Sequence, residues 1–336
     1  MTDGCTPDSP TPRRAGRQRP DWRLLLIPIL ILSMLTLLAR PMMDRVHNGL
    51  LLRMPARQQW QDNHGYCGEA AVQQCALHYG AYISQKLCRA IFDPTQQQDL
   101  CIDESGMNLR LVFNALHLTY ELWRSDLAPS PQYADYLVWI KQHLARRHPV
   151  IFTVFMVGEN DPNYDHIMTA VGFTSRDLQQ FHTDDALIFN DGFAPRASHA
   201  SFGTLHDSRA MQRDDTDIPY AVPEDIDYGA AVTGIDDATH AALPVHLTLN
   251  RWDEPNLLQG DSPAPLIATV TVSGLRTGRH YVLYRYENAR EVPSSHYATS
   301  PADQRIPFIA AGPSRVFTDC FMSDSKVIYR CLPAGV

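Results

Sequence analysis

The sequence contains few of the features that define several common protein classes. Seven cysteines in 336 residues are too few for a disulfide scaffold. The net charge of −8 gives no electrostatic support for nucleic-acid binding. No internal repeat and no N-x-[ST] glycosylation sequon occur. With 44% apolar and 20% charged residues, the chain is expected to fold into roughly two domains.

Motifs for metals and phosphates are also missing from the sequence. There is no C-x-x-C, no H-E-x-x-H and no glycine-rich phosphate loop. His64 and Cys67 would need further ligands to hold zinc. The acidic stretch at residues 214–237 is interpreted as a solvated linker rather than a Ca²⁺ site. We therefore expect neither a metal nor another cofactor.

One long apolar run, residues 24–39, stands near the N-terminus. As a helix it would be about 24 Å long, which is short for a bilayer but sufficient for a thin one. Ala39 is followed by Arg40 and Pro41, so no convincing cleavage site is present. We predict an uncleaved signal anchor at residues 23–40, with a cleaved signal or a peripheral helix as alternatives.

Arginines before the apolar run predict the orientation of the chain. They favour a disordered cytoplasmic tail at residues 1–22 and a lumenal or extracellular remainder, held at the membrane by the N-terminal helix. If the helix is cleaved, the chain would be secreted. Disulfides are possible if residues 41–336 are lumenal, and the sequence-local pairs are Cys88 with Cys101 and Cys320 with Cys331. Free buried thiols are the alternative.

The rest of the chain divides by its hydrophobic pattern. Residues 58–195 mix helical patterns (68–85, 108–117, 131–147) with strand patterns (150–157, 167–173, 186–189). Residues 196–243 have weak periodicity and are interpreted as a linker or insertion. Residues 244–336 alternate apolar and polar residues, which predicts a small antiparallel β-sandwich. The predicted fold class is α+β.

The region around Cys67 has the pattern expected of a reactive thiol. Glycines flank this cysteine where a helix is predicted to begin, so its sulfur would face unpaired N–H groups and the positive end of the helix dipole. Both favour the thiolate. Gln61 lies six residues earlier and can present its amide to an oxyanion, with Gln59 as a rival.

A thiol nucleophile also needs a base, and His166 is the best candidate because it opens a predicted strand. Antiparallel pairing about the loop at 174–185 is expected to place His166 nearly opposite Asn190 or Asp191. Either residue can orient the imidazole. His64, three residues before Cys67, is interpreted as loop surface.

This pattern resembles the papain-like cysteine peptidases, most closely the family 39-like branch of bacteriocin-processing peptidases. The resemblance covers residues 58–195 and rests on four elements: Gln61 followed by Cys67-Gly68, Pro149-Val150-Ile151, His166 on a strand that reaches Gly172, and Asn190-Asp191-Gly192. The sequence departs from the family where Glu69 replaces the usual proline. The C-terminal β domain has no counterpart in that branch.

The resemblance implies a role for each matched residue. Cys67 would be the nucleophile, His166 the general base and acid, Asp191 the orienting residue and Gln61 the oxyanion donor, with Asn190 as the alternative orienting residue. The implied activity is hydrolysis of a peptide or amide bond in a peptide or protein substrate. Two other hypotheses stay open: a catalytically inactive peptide-binding adaptor, and an acyltransferase that uses the same cysteine.

Overall fold

Antiparallel β-sheet, with five helices beside it, dominates the part of the chain that the computed structural model describes. The described residues are 48–60, 65–95, 101, 107–127, 131–156, 166–205, 220–222, 228–251 and 263–335. Residues 47–336 form one compact unit. The α+β class predicted from the sequence is confirmed.

The α-helices of the described chain all lie before residue 206. They are α1 (Cys67–His78), α2 (Gln85–Phe92), α3 (Met107–Ala115), α4 (Tyr133–Ala145) and the single turn α5 (Phe202–Leu205). None of these helices is long and apolar enough to cross a bilayer. The predicted anchor at 23–40 and the tail at 1–22 lie outside the described residues.

The largest sheet has eight strands, and helices α1 and α4 pack against it. Its central path runs β3-β9-β4-β5-β6-β7, with β1 beside β5 and β8 beside β4. The bounds are β1 (Asn48–Leu51), β3 (Leu118–Leu122), β4 (Val150–Met156), β5 (His166–Ser175), β6 (Ala186–Asn190), β7 (Ser198–Ser201), β8 (Tyr220–Ala221) and β9 (Gly229–Ile235). Helix α1 packs on β5, so the first residues of α1 lie next to the first residues of β5.

Two smaller sheets follow, with orders β10-β11-β14 and β13-β12-β15-β2. Their strands are β2 (Ala81–Ile83), β10 (Val245–Leu249), β11 (Pro265–Ser273), β12 (His280–Tyr286), β13 (Gln304–Ile309), β14 (Ser314–Met322) and β15 (Lys326–Pro333). Alternate residues from both sheets enclose one apolar core, as the period of two predicted.

The predicted helix over residues 68–85 is wrong in its second half. The helix ends at His78, and Gly80 has a φ of +74°, a conformation that glycine adopts readily. A Cβ atom at Gly80 would lie 2.9 Å from Val245 Cβ. The chain then forms β2, which pairs with β15, so the regions predicted as separate domains share a sheet.

The segment 196–243, predicted to be a linker or insertion, contributes structure to the large sheet. Strand β9 pairs with β3 on one side and β4 on the other. Its residues are small, and a Cβ atom at Gly229 would lie 2.8 Å from the ring of Tyr136. Small residues are required where a helix packs this closely, and they leave only a weak hydrophobic period in the sequence.

Candidate active site

Cys67 is the first residue of α1, as the sequence predicted, and is 7% exposed. The helix start approaches its neighbours so closely that Gly68 has no room for a side chain. A Cβ atom there would lie 2.5 Å from Cys101 Cβ and 3.0 Å from Ile167 Cδ1. The Cys-Gly sequence therefore matches a helix start pressed against the beginning of β5.

His166 is the first residue of β5 and is 3% exposed. Its Nε2 atom lies 2.6 Å from the backbone oxygen of Asp191. A carbonyl oxygen only accepts, so this contact assigns the proton to Nε2 and, in the neutral ring, the lone pair to Nδ1. The ring of Phe193, which is 50% exposed, stacks on the imidazole at 4.8 Å between centroids.

The Cys67 thiol lies beside the main chain of the residue that follows His166. The backbone N–H of Ile167, the residue after His166, lies near the Cys67 sulfur and favours its thiolate, and the N–H groups of Gly68 and Cys67 act in the same direction. Each of these three amides lowers the thiol pKa. The structure therefore brings together Cys67, the start of β5 and the turn at Asp191.

The resting protonation state of Cys67 differs from the expectation of a thiolate. Burial, followed by the nearby Glu69 carboxylate, raises the pKa of Cys67 to about 12. The cost of burying a charge outweighs the effect of the three amides. At neutral pH the sulfur therefore carries its proton.

Glu69 forms a buried ion pair at the start of α1. Arg89 on α2 donates its Nε–H to the Glu69 carboxylate and an Nη2–H to the backbone oxygen of Gly65, 2.7 Å away. The Arg89 guanidinium also lies 4.1 Å from the ring centre of Tyr66. Arg89 thus joins the helix to the two residues that precede Cys67.

The Asp191 carboxylate serves the turn that follows it. Its Oδ1 accepts hydrogen bonds from the backbone N–H groups of Phe193, at 2.9 Å, and Ala194, at 3.2 Å. Its Oδ2 lies 3.4 Å from Ser198 Oγ. The main chain of Asp191, rather than its carboxylate, makes the 2.6 Å contact with His166.

Asn190, the alternative orienting residue, links strand β6 to α1. Its Nδ2 donates to Gln74 Oε1 at 2.8 Å and to the backbone oxygen of Met54 at 3.2 Å. The predicted register between β5 and β6 is wrong. Asn190 pairs with Thr169, so the same register places His166 across from Phe193, in agreement with their stacked rings.

Gln61 and His64 lie outside the described residues. The rival Gln59 is described, and its backbone N–H donates to Gly192 O at 2.9 Å. It therefore lies beside the turn that holds His166. The side chain of Gln85 holds the main chain on both sides of Gln59, because it donates to Gln58 O at 2.7 Å and accepts from the Trp60 N–H at 2.8 Å.

Cys88 and Cys101 are buried, free and hydrogen-bonded to each other. The two cysteines that the sequence suggested as a pair therefore do lie in contact, as free thiols. Cys101 also packs against Gly68. Cys320 and Cys331 are free as well, but they lie on different sheets, and only Cys331 is buried. The described residues include no group of three or more His, Cys, Asp or Glu side chains placed to hold a metal.

Four neighbours of this site were not found by sequence reasoning: Arg89, Cys101, Phe193 and Gln85. Arg89 and Gln85 are separated from Cys67 by β2, and no local pattern links them to it.

Comparison with protein-family models, with curated proteins and with solved structures finds no match to this chain.

Proposed function

We propose that the chain hydrolyses a peptide or amide bond by means of Cys67, in a papain-like domain at residues 58–195 followed by a β-sandwich. The 2.6 Å contact between His166 Nε2 and Asp191 O is the main support. It leaves Nδ1 as the basic atom of a histidine whose next residue lies near the Cys67 thiol. Catalysis by a thiol nucleophile requires an imidazole that is held in one tautomer and can turn its basic nitrogen toward the sulfur.

The first half of the reaction forms a thioester. His166 Nδ1 accepts the Cys67 proton while the sulfur attacks the substrate carbonyl, because the raised pKa keeps the sulfur protonated until then. The imidazolium keeps its Nε2–H bond to Asp191 O. It then gives the proton on Nδ1 to the departing amine, and the C–N bond breaks.

The second half returns the enzyme to its resting state. His166 accepts a proton from water, whose oxygen attacks the thioester carbonyl. The C–S bond then breaks, the imidazolium returns this proton to the sulfur, and a carboxylic acid and the Cys67 thiol are released. In both halves the developing oxyanion would meet the backbone N–H of Cys67 at the N-terminus of α1. A glutamine amide, from Gln61 or Gln59, would be the second donor.

The decisive test is acylation of Cys67 by p-nitrophenyl acetate, because this small ester requires no knowledge of the natural substrate. Peptide mass spectrometry on the full-length chain would locate the acetyl group. We expect acetylation of Cys67 and later loss of the group, with a rate at least about 100-fold lower in His166→Ala. Cys75, buried on the same helix, is the internal control, and Cys320→Ser removes the one thiol that is exposed among the described residues.

The outcomes separate the three hypotheses. If Cys67 is acetylated no faster than Cys75, or equally fast in His166→Ala, the chain is not a thiol enzyme and the adaptor hypothesis gains support. If added glycinamide captures the acetyl group in preference to water, the chain is an acyltransferase. Release of acetate alone supports the hydrolase.

A further inference from the structure

A second site lies at the opposite end of α1 from Cys67. A cavity of about 490 Å³ opens where the helix ends at His78. The twelve residues of α1 separate the two places by roughly 18 Å. Six basic or imidazole side chains line the cavity: His78, Arg146, Arg147, His148, His246 and Arg330. None of the described residues that line it is acidic.

Arg330 is the buried cation of this cavity, with 1% of its surface exposed. Its Nη1 donates to the backbone oxygens of Tyr329, at 2.8 Å, and Tyr79, at 3.4 Å, while Nη2 donates to His117 O at 3.4 Å. Its Nε–H has no hydrogen-bond partner in the described part of the chain. Burial lowers the pKa of Arg330 to about 10, so the guanidinium stays charged at neutral pH.

The nearest carboxylates are committed elsewhere or lie beyond contact. Asp236 and Asp237 act on Arg330 only through longer-range electrostatics. Asp237 uses both of its oxygens within its own turn, accepting from Thr239 and from the Ala242 N–H. Among the described residues, Arg330 therefore forms no ion pair, and a buried charge without one is costly.

His78 adds a second unsatisfied group to the same wall. Its ring lies 4.7 Å from that of His246, and its Nδ1 atom is buried without a hydrogen-bond partner among the described residues. Burial lowers the pKa of His78 to about 3, so the ring is neutral. The positive charge of the cavity thus comes from Arg146, Arg147 and Arg330, and the neutral ring of His78 adds no charge.

We propose that this cavity binds a small organic oxyanion, with its carboxylate or phosphate group on the arginines and its body against the apolar wall. Guanidinium groups suit planar or tetrahedral oxyanions because their N–H groups are arranged as a fork. Ile235, Val245 and Tyr329 supply apolar surface next to the charges. The volume lies in the usual range for small-molecule sites.

Calorimetric titration of the full-length chain with benzoate and with phenyl phosphate, at constant ionic strength, tests the proposal. Benzamide and phenol are the neutral counterparts. We expect saturable millimolar or tighter binding of at least one anion and none of its neutral counterpart. Binding of benzoate alone would identify a carboxylate ligand, and binding of phenyl phosphate alone would identify a phosphate ligand.

The variant Arg146→Gln/Arg147→Asn removes two exposed charges from the cavity without touching the core. Asparagine is chosen because Arg147 has a φ of +67°, which asparagine tolerates. We expect affinity to fall on the order of 10-fold or more. Arg110→Gln/Arg290→Gln removes the same charge from exposed positions outside the cavity and should leave affinity unchanged.

Three results would overturn the proposal. The first is the absence of saturable binding of either anion to the wild-type chain. The second is equal binding of an anion and its neutral counterpart. The third is an equal loss of affinity in the cavity variant and in Arg110→Gln/Arg290→Gln, because that would reflect the net charge of the chain rather than a site.

Discussion

Two buried arginines lie at opposite ends of α1, and their surroundings differ. Arg89, near the helix start, pairs with the buried carboxylate of Glu69 and with Gly65 O. Arg330, near the helix end, contacts backbone oxygens and keeps a buried N–H without a partner among the described residues. The first arginine has its counterion within the chain, and the second has a cavity beside it.

This difference separates a structural charge from a charge that is available for binding. A buried cation with a carboxylate in contact is neutralised, and its removal leaves an unpaired anion. A buried cation held only by carbonyl dipoles retains most of its electrostatic attraction for an outside anion. At the Cys67 end of the helix, burial is the main cause that disfavours a thiolate, and the Glu69 carboxylate is the second.

The largest effect is expected from Arg89→Met, which leaves Glu69 buried without its partner. We expect a loss of about 3–5 kcal/mol in the free energy of unfolding, measured by urea denaturation of the full-length chain. The double variant Glu69→Gln/Arg89→Met carries neither charge and should recover most of that loss. The exposed pair Arg124 and Asp126 is the control, and Arg124→Gln should leave stability within experimental error.

A smaller effect is expected from Arg330→Met in the absence of a bound anion. Several backbone oxygens lose a donor, which costs about 1–3 kcal/mol, but removal of an unpaired buried charge offsets part of this cost. Urea denaturation beside Arg89→Met ranks the two arginines. If Arg330→Met lowers the free energy of unfolding as much as Arg89→Met does, the proposed difference between the two arginines is wrong, because their side chains would then contribute equally to stability.

Glu69→Gln leaves Arg89 buried without its carboxylate, so it should lower stability, although Arg89 keeps its bond to Gly65 O, and it should also change the reactivity of Cys67. A neighbouring carboxylate opposes formation of the thiolate, so its removal lowers the pKa of Cys67 from about 12. The pH profile of Cys67 alkylation by iodoacetamide should therefore move to lower pH. Glu287→Gln, which removes an exposed carboxylate from β12's end, is the control.

An unchanged alkylation profile in Glu69→Gln would show that burial alone raises the pKa of Cys67.

The raised pKa of Cys67 also makes folding stability depend on pH. Because the folded value lies above that of an unfolded thiol, Cys67 contributes stability below the unfolded pKa, and this contribution is lost as the pH rises toward about 12. Glu69→Gln lowers the folded pKa of Cys67, so the pH range between the unfolded and the folded pKa should become narrower at its upper limit.

The smallest effect is expected from Phe193→Ala, which removes the half-exposed ring that stacks on His166. Stability should fall by about 1 kcal/mol, because one side of the aromatic pair is open to solvent. Acetylation of Cys67 should slow several-fold, since the imidazole loses the contact that limits its rotation. Leu127→Ala, which trims an exposed apolar residue away from the site, should change neither measurement.

Much of the candidate site follows from local patterns in the sequence. The glycines around Cys67 indicated a helix start, and α1 begins at that residue. The apolar run at 150–157 and the change of pattern at His166 predicted β4 and the start of β5. Such features depend on a few neighbouring residues, so the chain order is sufficient to find them.

Long-range partners account for what the sequence did not predict. Residues 81–83 leave the helix because β15, more than 240 residues later, supplies a sheet edge and the Cβ of Val245 requires glycine at position 80. The ladder between β5 and β6 also contains a β-bulge between Ala170 and Gly172, a local irregularity that hydrophobic alternation does not indicate.

The order of the amino acids alone was enough to determine the α+β class, the helix start at Cys67 and the alternating strands of the C-terminal half. Only the tertiary structure decided that the Asp191 backbone contacts His166, that Glu69 and burial keep Cys67 protonated, and that Arg330 is buried without a carboxylate in contact. The physical reason is that periodicity and turn chemistry are local. Desolvation and charge pairing instead depend on which distant segments meet.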